Sequence, residues 1–131
     1  MKILVPTDFS DNALKAALYA AELAKKSGSE IVLFNVLETM GIPFDEVAES
    51  KMQETRKIKL QDVKASILSV YKNLNVQQEL EEGTVIESIL QFAAKEKVDL
   101  IIMGNKGAGV LFVEMREGKR GVQILNAEQI R

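Results

Sequence analysis

The sequence predicts an α/β fold built on an open, mostly parallel sheet with helices on both faces. Two observations carry that expectation. Short, almost wholly apolar runs recur along the chain at residues 2–5, 31–37 and 98–103, as strands buried on both sides require. Segments of helical period separate them, and strands alternating with helices build βαβ units and a parallel sheet.

In order, residues 2–5 read as a buried strand closed by Pro6. Thr7-Asp8-Phe9-Ser10 is a strand-to-helix turn, with Ser10 the expected N-cap and Asp11 in the first turn where the helix dipole favours an acid. Leu14, Ala17, Leu18, Ala21 and Ala24 share one helical face, and the alanines between Ala16 and Ala21 permit close packing on a sheet. Lys25-Lys26 and Gly28 mark that helix's end. Residues 30–37 form the second strand, apolar enough to be central, and Gly41 and Pro43 mark a loop after it. A long helix is expected over 45–74, on the register Leu60, Val63, Ile67, Val70, Leu74. Val76, Gln78 and Leu80 alternate with polar neighbours, as an edge strand does, and Gly83 ends it. Thr84 followed by Glu87 fits a capping box opening a helix to about residue 97. Residues 98–103 are the fourth strand.

Composition narrows the function classes. The length of 131 residues fits one domain, and 47% hydrophobic with 27% charged residues is ordinary globular usage. A net charge of −2 supplies no basic stripe for nucleic acid and no polybasic anchor for a membrane. No apolar run approaches the ~18 residues of a membrane span. The opening residues offer no h-region of about 7–15 apolar residues, so the expected compartment is the cytoplasm. There is no cysteine, which removes disulfides, thiolate catalysis and cysteine zinc sites. There is no histidine, which removes the commonest general base and metal ligand. No catalytic residue and no metal site are therefore expected. A hydrolytic role would fall on Asp8, Lys106 and a magnesium ion.

In open parallel sheets ligands bind beyond the carboxyl ends of the strands, where strand order reverses. Two segments stand there: Pro6-Thr7-Asp8 after the first strand, and Gly104-Asn105-Lys106-Gly107 after the fourth. Asp8 either caps the following helix or accepts hydrogen bonds from a ligand's hydroxyl or amino groups. Gly104 and Gly107 either form a plain turn or bring backbone N–H groups to a phosphate, with Lys106 adding charge. A Walker A motif and the Gly-x-Gly-x-x-Gly dinucleotide fingerprint are both absent. Glu79, Glu81 and Glu82 read as a solvated strand end.

The opening Ile3-Leu4-Val5-Pro6-Thr7-Asp8-Phe9-Ser10, the alanine-rich first helix, the 31–37 strand and the segment from Val98 to Gly107 resemble the universal stress protein family over about residues 1–109. The resemblance implies a Rossmann-like sheet of the adenine nucleotide alpha hydrolase kind, five-stranded in the order 3-2-1-4-5. That order makes the first and fourth strands neighbours, so Asp8 and Gly104–Gly107 would share a crevice. Many members bind ATP, with or without magnesium, and others bind no nucleotide. Carried onto this chain, Pro6, Thr7 and Asp8 would meet the nucleoside, Val36 would present backbone groups to adenine, and Met103, Gly104, Lys106 and Gly107 would line the ribose and phosphate path. The resemblance also implies a stress-response role without catalysis and a homodimer formed through the C-terminal strand. The alternative is a dimeric protein-interaction module of the same fold that binds no nucleotide.

The chain departs from the family over 110–131. Where ATP-binding members place Gly-Ser or Gly-Thr, Glu117 stands first, Gly118 follows one place late, and Lys119 replaces the hydroxyl residue. An acid beside a triphosphate is unfavourable unless a cation bridges them. The family's fourth helix is also missing its pattern. Residues 110–115 are β-branched and aromatic, and with 122–125 they suit a hairpin, or else the helix is truncated.

Overall fold

The computed structural model describes residues 1–38, 45–105, 109–115 and 121–126. Its elements are β1 (Lys2–Pro6), α1 (Asp11–Ser27), β2 (Glu30–Leu37), α2 (Glu46–Val70), β3 (Val76–Glu82), α3 (Val85–Lys95), β4 (Leu100–Asn105), β5 (Gly109–Glu114) and β6 (Gly121–Asn126). Among the described residues they form one sheet in the order β3-β2-β1-β4-β5-β6. The expected 3-2-1-4-5 succession is present, extended by a sixth strand. β1, β2, β3 and β4 run parallel, and β5 runs antiparallel between β4 and β6.

Both faces of the inner strands are buried, which is why their sequences do not alternate. Ile3, Val5, Ile31, Leu33 and Ile102 face α1 and α2, meeting Leu60 and Ile67 of the latter. Leu4, Val32, Phe34 and Ile101 face α3, meeting Ile89 and Ala93. Phe34 and Phe92 stack across that second interface with centroids 4.7 Å apart.

Helix α1 begins where expected: the Ser10 side chain accepts from the Ala13 N–H, and Gly28 closes the helix at φ 70, a left-handed turn that glycine makes without Cβ strain. Its buried face differs from the expected one. Ala13, Ala16, Ala17, Ala20, Ala21 and Ala24 are buried, while Leu14 and Leu18 lie half-buried at the margin. The alanines take the centre of the helix–sheet contact, where small side chains let the helix pack close.

Three further expectations are corrected. Helix α2 ends at Val70, not Leu74; Val70 is 62% exposed and Tyr71 caps the helix, while Leu74 packs on the core from the following turn. Thr84 is the N-cap of α3, but its side chain accepts no capping hydrogen bond, so the Thr84–Glu87 box does not form. β4 starts at Leu100, because the Val98 N–H closes α3 on Ala93 and Asp99 ties the foot of β1, its Oδ2 accepting from the Lys2 N–H at 2.8 Å.

The tail takes the hairpin form. β5 and β6 pair antiparallel from Gly109↔Asn126 to Glu114↔Gly121, and β5 also pairs back on β4 from Leu100↔Glu114 to Asn105↔Gly109. The hairpin is integral to the domain: Val110 is buried, and Tyr19 of α1 meets Phe112 edge-on at 5.2 Å. The Gly41–Pro43 loop lies outside the described residues.

Candidate functional site

The turn after β1 is held by its own side chains. The Thr7 N–H extends the β1–β2 ladder by donating to the Phe34 carbonyl at 2.8 Å. The Thr7 hydroxyl accepts from the Phe9 N–H at 3.0 Å, and Asp8 Oδ1 accepts from the Ser10 N–H at 2.9 Å. Asp8 therefore shapes the turn while Ser10 does the helix capping. Phe9 sits at φ 68, a left-handed conformation that costs a non-glycine residue roughly 1–2 kcal/mol. The ring packs against the core beneath it and has Lys59 Nζ over its face at 5.5 Å, which holds the backbone there.

This turn forms one wall of a cavity of about 400 Å³ at the carboxyl ends of β1, β2 and β4. Pro6, Thr7, Asp8, Val36, Met103 and Gly104, all singled out in the sequence, line it together. Its other walls include Phe34, Val85 and Ile89, so an apolar floor meets a rim of Asp8, Ser10 and Asn12. That is the usual composition of a small-molecule site, and the volume lies within the roughly 300–1,000 Å³ such sites span. Lys106 and Gly107 lie outside the described residues, as do Glu117, Gly118 and Lys119.

Val36 owes its position to strand geometry. In a parallel ladder successive residues direct their N–H and C=O alternately to the two neighbouring strands. The Phe34 carbonyl faces β1, and the β1–β2 register stops at Pro6↔Phe34. Val36, two residues on, thus directs its backbone polar groups to the β1 side, beyond the point where β1 has ended.

Gly104 has a packing reason to be glycine. A Cβ there would meet the Asn12 carbonyl carbon at 2.8 Å and the Ala13 nitrogen at 2.9 Å. The end of β4 abuts the start of α1, and Asn12 Nδ2 donates to the Asn105 carbonyl across the same seam at 3.2 Å.

Sequence reasoning missed Arg56. It lies on α2 and is only 7% exposed. Its Nε donates to Asn35 Oδ1 at 2.7 Å, Nη1 to Gln53 Oε1 at 3.1 Å, and Nη2 to the carbonyls of Asn35 and Glu81 at 3.1 and 2.9 Å. Asn35 Nδ2 in turn donates to the Thr7 carbonyl at 2.7 Å. Burial lowers the guanidinium's pKa below its ordinary value, and the nearby Glu82 charge partly offsets this. The available signal was a polar Asn35 inside an apolar strand, which demands a buried partner.

A second cavity of about 420 Å³ lies at the opposite end of the sheet, lined by Lys25, Tyr71, Asn73 and Asn75 among others, and none of the described candidate site residues line it. Among the described residues no three acidic side chains gather as a metal site, and no helix is long and apolar enough to cross a membrane.

An open, mostly parallel sheet with an apolar crevice at the point where its strand order reverses defines a doubly wound α/β protein. The universal stress protein family model matches residues 1–116, and the chain belongs to that family. Universal stress protein MJ0531 of Methanocaldococcus jannaschii is 32% identical over 112 residues, 81% of this chain and 65% of that protein. This chain thus spans about two-thirds of that relative's length. A universal stress protein of Thermus aquaticus is 32% identical over 113 residues, 83% of this chain and 80% of its own. Among solved structures, the M. jannaschii protein MJ0577 superposes with a TM-score of 0.68 at 29% identity, covering 81% of this chain and 77% of that one. A universal stress protein in complex with cAMP superposes at 0.64 with 18% identity, covering 82% of this chain and 74% of its own, a likeness of fold.

Proposed function

We propose that this protein is a non-catalytic regulatory member of its family that binds an adenine nucleotide, ATP in the first instance, in the crevice between β1 and β4. The convergence of Pro6, Thr7, Asp8, Val36, Met103 and Gly104 on one cavity of about 400 Å³ carries this reading. The base lies against Phe34, Val85, Ile89 and Met103, with Val36's backbone groups at its polar edge. Asp8 takes the ribose or the amino group. The phosphates run toward Gly104, Lys106 and Gly107, and magnesium arrives on them, since Mg²⁺ is usually held by one or two carboxylates together with substrate phosphates. That one relative of this fold was solved with cAMP supports an adenine-sized occupant. The protein works as a homodimer in the cytoplasm, paired through its C-terminal strand.

Isothermal titration with ATP and magnesium tests the nucleotide reading. At protein concentrations of about 100 μM, affinities near −5.5 kcal/mol register as heat. The wild type is expected to bind, and Asp8→Ala to bind about tenfold more weakly, the loss of one good polar contact. A titration without heat removes the proposal.

A second reading rests on Glu117 and Lys119, which replace the family's phosphate-holding pair. On it the protein is a dimeric protein-interaction module with an empty crevice. AMP binding as tightly as ATP would place the fault in the phosphate path alone, and no binding of either would favour the module.

A further inference from the structure

We propose that Arg56 is a positioning residue for the β1–α1 turn, acting through Asn35 on the Thr7 carbonyl. Arginine donates hydrogen bonds and never accepts them. With Nε 2.7 Å from the Asn35 side chain, the amide must turn its oxygen to Arg56 and its nitrogen to Thr7. A primary amide beside a neutral partner would be free to flip; beside a guanidinium it is not. The contact of Asn35 Nδ2 with the Thr7 carbonyl, 2.7 Å long, then pins the residue immediately before Asp8.

The clamp acts where the turn needs it. Phe9 holds a left-handed backbone conformation at φ 68, and a strained residue persists only where its surroundings over-determine it. From one side the Phe34 carbonyl fixes the Thr7 N–H, and from the other Asn35 fixes the Thr7 carbonyl. Arg56 is itself braced by Gln53 and by the carbonyls of Asn35 and Glu81, and Gln53 Nε2 donates to Glu82 Oε1 at 2.9 Å. The ends of β2 and β3 and the middle of α2 are thereby tied to a turn that none of them adjoins in sequence. For nucleotide binding the inference rests on the proposed crevice. The link to the turn stands independently of it.

Amide hydrogen exchange by NMR, without nucleotide, tests the link. Two variants are informative. Arg56→Met removes the donors while keeping an apolar stem. Asn35→Asp keeps an acceptor for Arg56 but loses the donor to Thr7. Both are expected to speed exchange at Phe9 and Ser10 by about tenfold or more relative to Leu33 in the sheet core, the scale of one lost hydrogen bond. Arg56→Lys, which keeps the charge but not the fork, is expected not to rescue. Unchanged Phe9 and Ser10 exchange, or exchange that rises only in step with Leu33, overturns the proposal. Should the variants fail to fold, the wild type decides it: the Arg56 Nε–H resonance must be protected at pH 8, and a scalar coupling must cross from Asn35 Nδ2 to the Thr7 carbonyl carbon. Absence of both overturns it. ATP titration adds the functional arm, with Kd raised about tenfold in both variants if wild type binds. A wild type that binds no ATP sinks the nucleotide reading while the exchange data still judge the link. Binding that is unchanged in both variants refutes any role for Arg56 in the crevice.

Discussion

Gly104 serves two masters at the residue scale. It lines the candidate crevice, yet the 2.8 Å approach of a would-be Cβ to Asn12 already requires glycine for packing. The obstructing atoms are backbone, which cannot swing aside. Gly104→Ala is therefore expected to destabilise the fold by about 1–3 kcal/mol in urea denaturation, with or without nucleotide. The two N-caps give a sharper comparison. Ser10 accepts from Ala13 at 3.2 Å, whereas the Thr84 side chain makes no capping bond. Ser10→Ala should cost about 1 kcal/mol and Thr84→Ala a few tenths at most. Equal losses in thermal melts would show that the Thr84 cap forms in solution. Both caps look alike in sequence, since Ser10 and Thr84 are equally good candidates. What separates them is whether the chain enters the helix at an angle that lets the hydroxyl reach back.

Among the elements, α1 is the one most tightly tied to its composition. Its buried face is alanine throughout, and it meets β1, β2, β4 and β5 across the sheet centre. Small side chains let the helix axis sit close, so any enlargement must push helix and sheet apart. Ala20→Leu is expected to cost at least about 2 kcal/mol by urea denaturation, although leucine is a good helix former. Helix α2 behaves oppositely. Only Arg56, Leu60 and Ile67 of its 25 residues are buried, so it lies along the sheet with most of its surface in water. The expected stripe to Leu74 was legible through Ile67 and failed at Val70, because an apolar residue at the right spacing still needs something to cover it. The existence and order of α1, β2, α2, β3 and α3 were plain in the periodicity. Their ends were set by contacts such as Val98 on Ala93, which no local pattern contains.

At the scale of the sheet, the strand order β3-β2-β1-β4-β5-β6 leaves β3 and β6 as its edges among the described residues. β3 protects its edge with Gln77, Glu79, Glu81 and Glu82, charged and polar as exposed edges require. β6 reads Gly-Val-Gln-Ile-Leu-Asn and carries no such charge. An uncharged edge is the one suited to pairing with a second copy, which is where the proposed dimer joins. Sedimentation equilibrium should return twice the 14.5 kDa chain mass, independent of ATP. A monomer at all concentrations would remove the dimer. The fold-back of β5 brings it directly against α1, where Tyr19 and Phe112 meet edge-on.

Apolar runs and helical spacing were enough to establish the α/β class and the parallel strands, because strand burial and helix amphipathicity are written residue by residue, whereas Gly104 and Asn105, expected just past the fourth strand, belong to β4 itself. The meeting of Asp8 with Met103 and Gly104 follows from strand order, which depends on how separate elements pack and has no local trace. Arg56 and the Asn35 amide belong to the same category. A guanidinium on an otherwise polar helix reads as solvated until the fold brings it under the end of β2, where burial leaves it no choice but to bond what lies there.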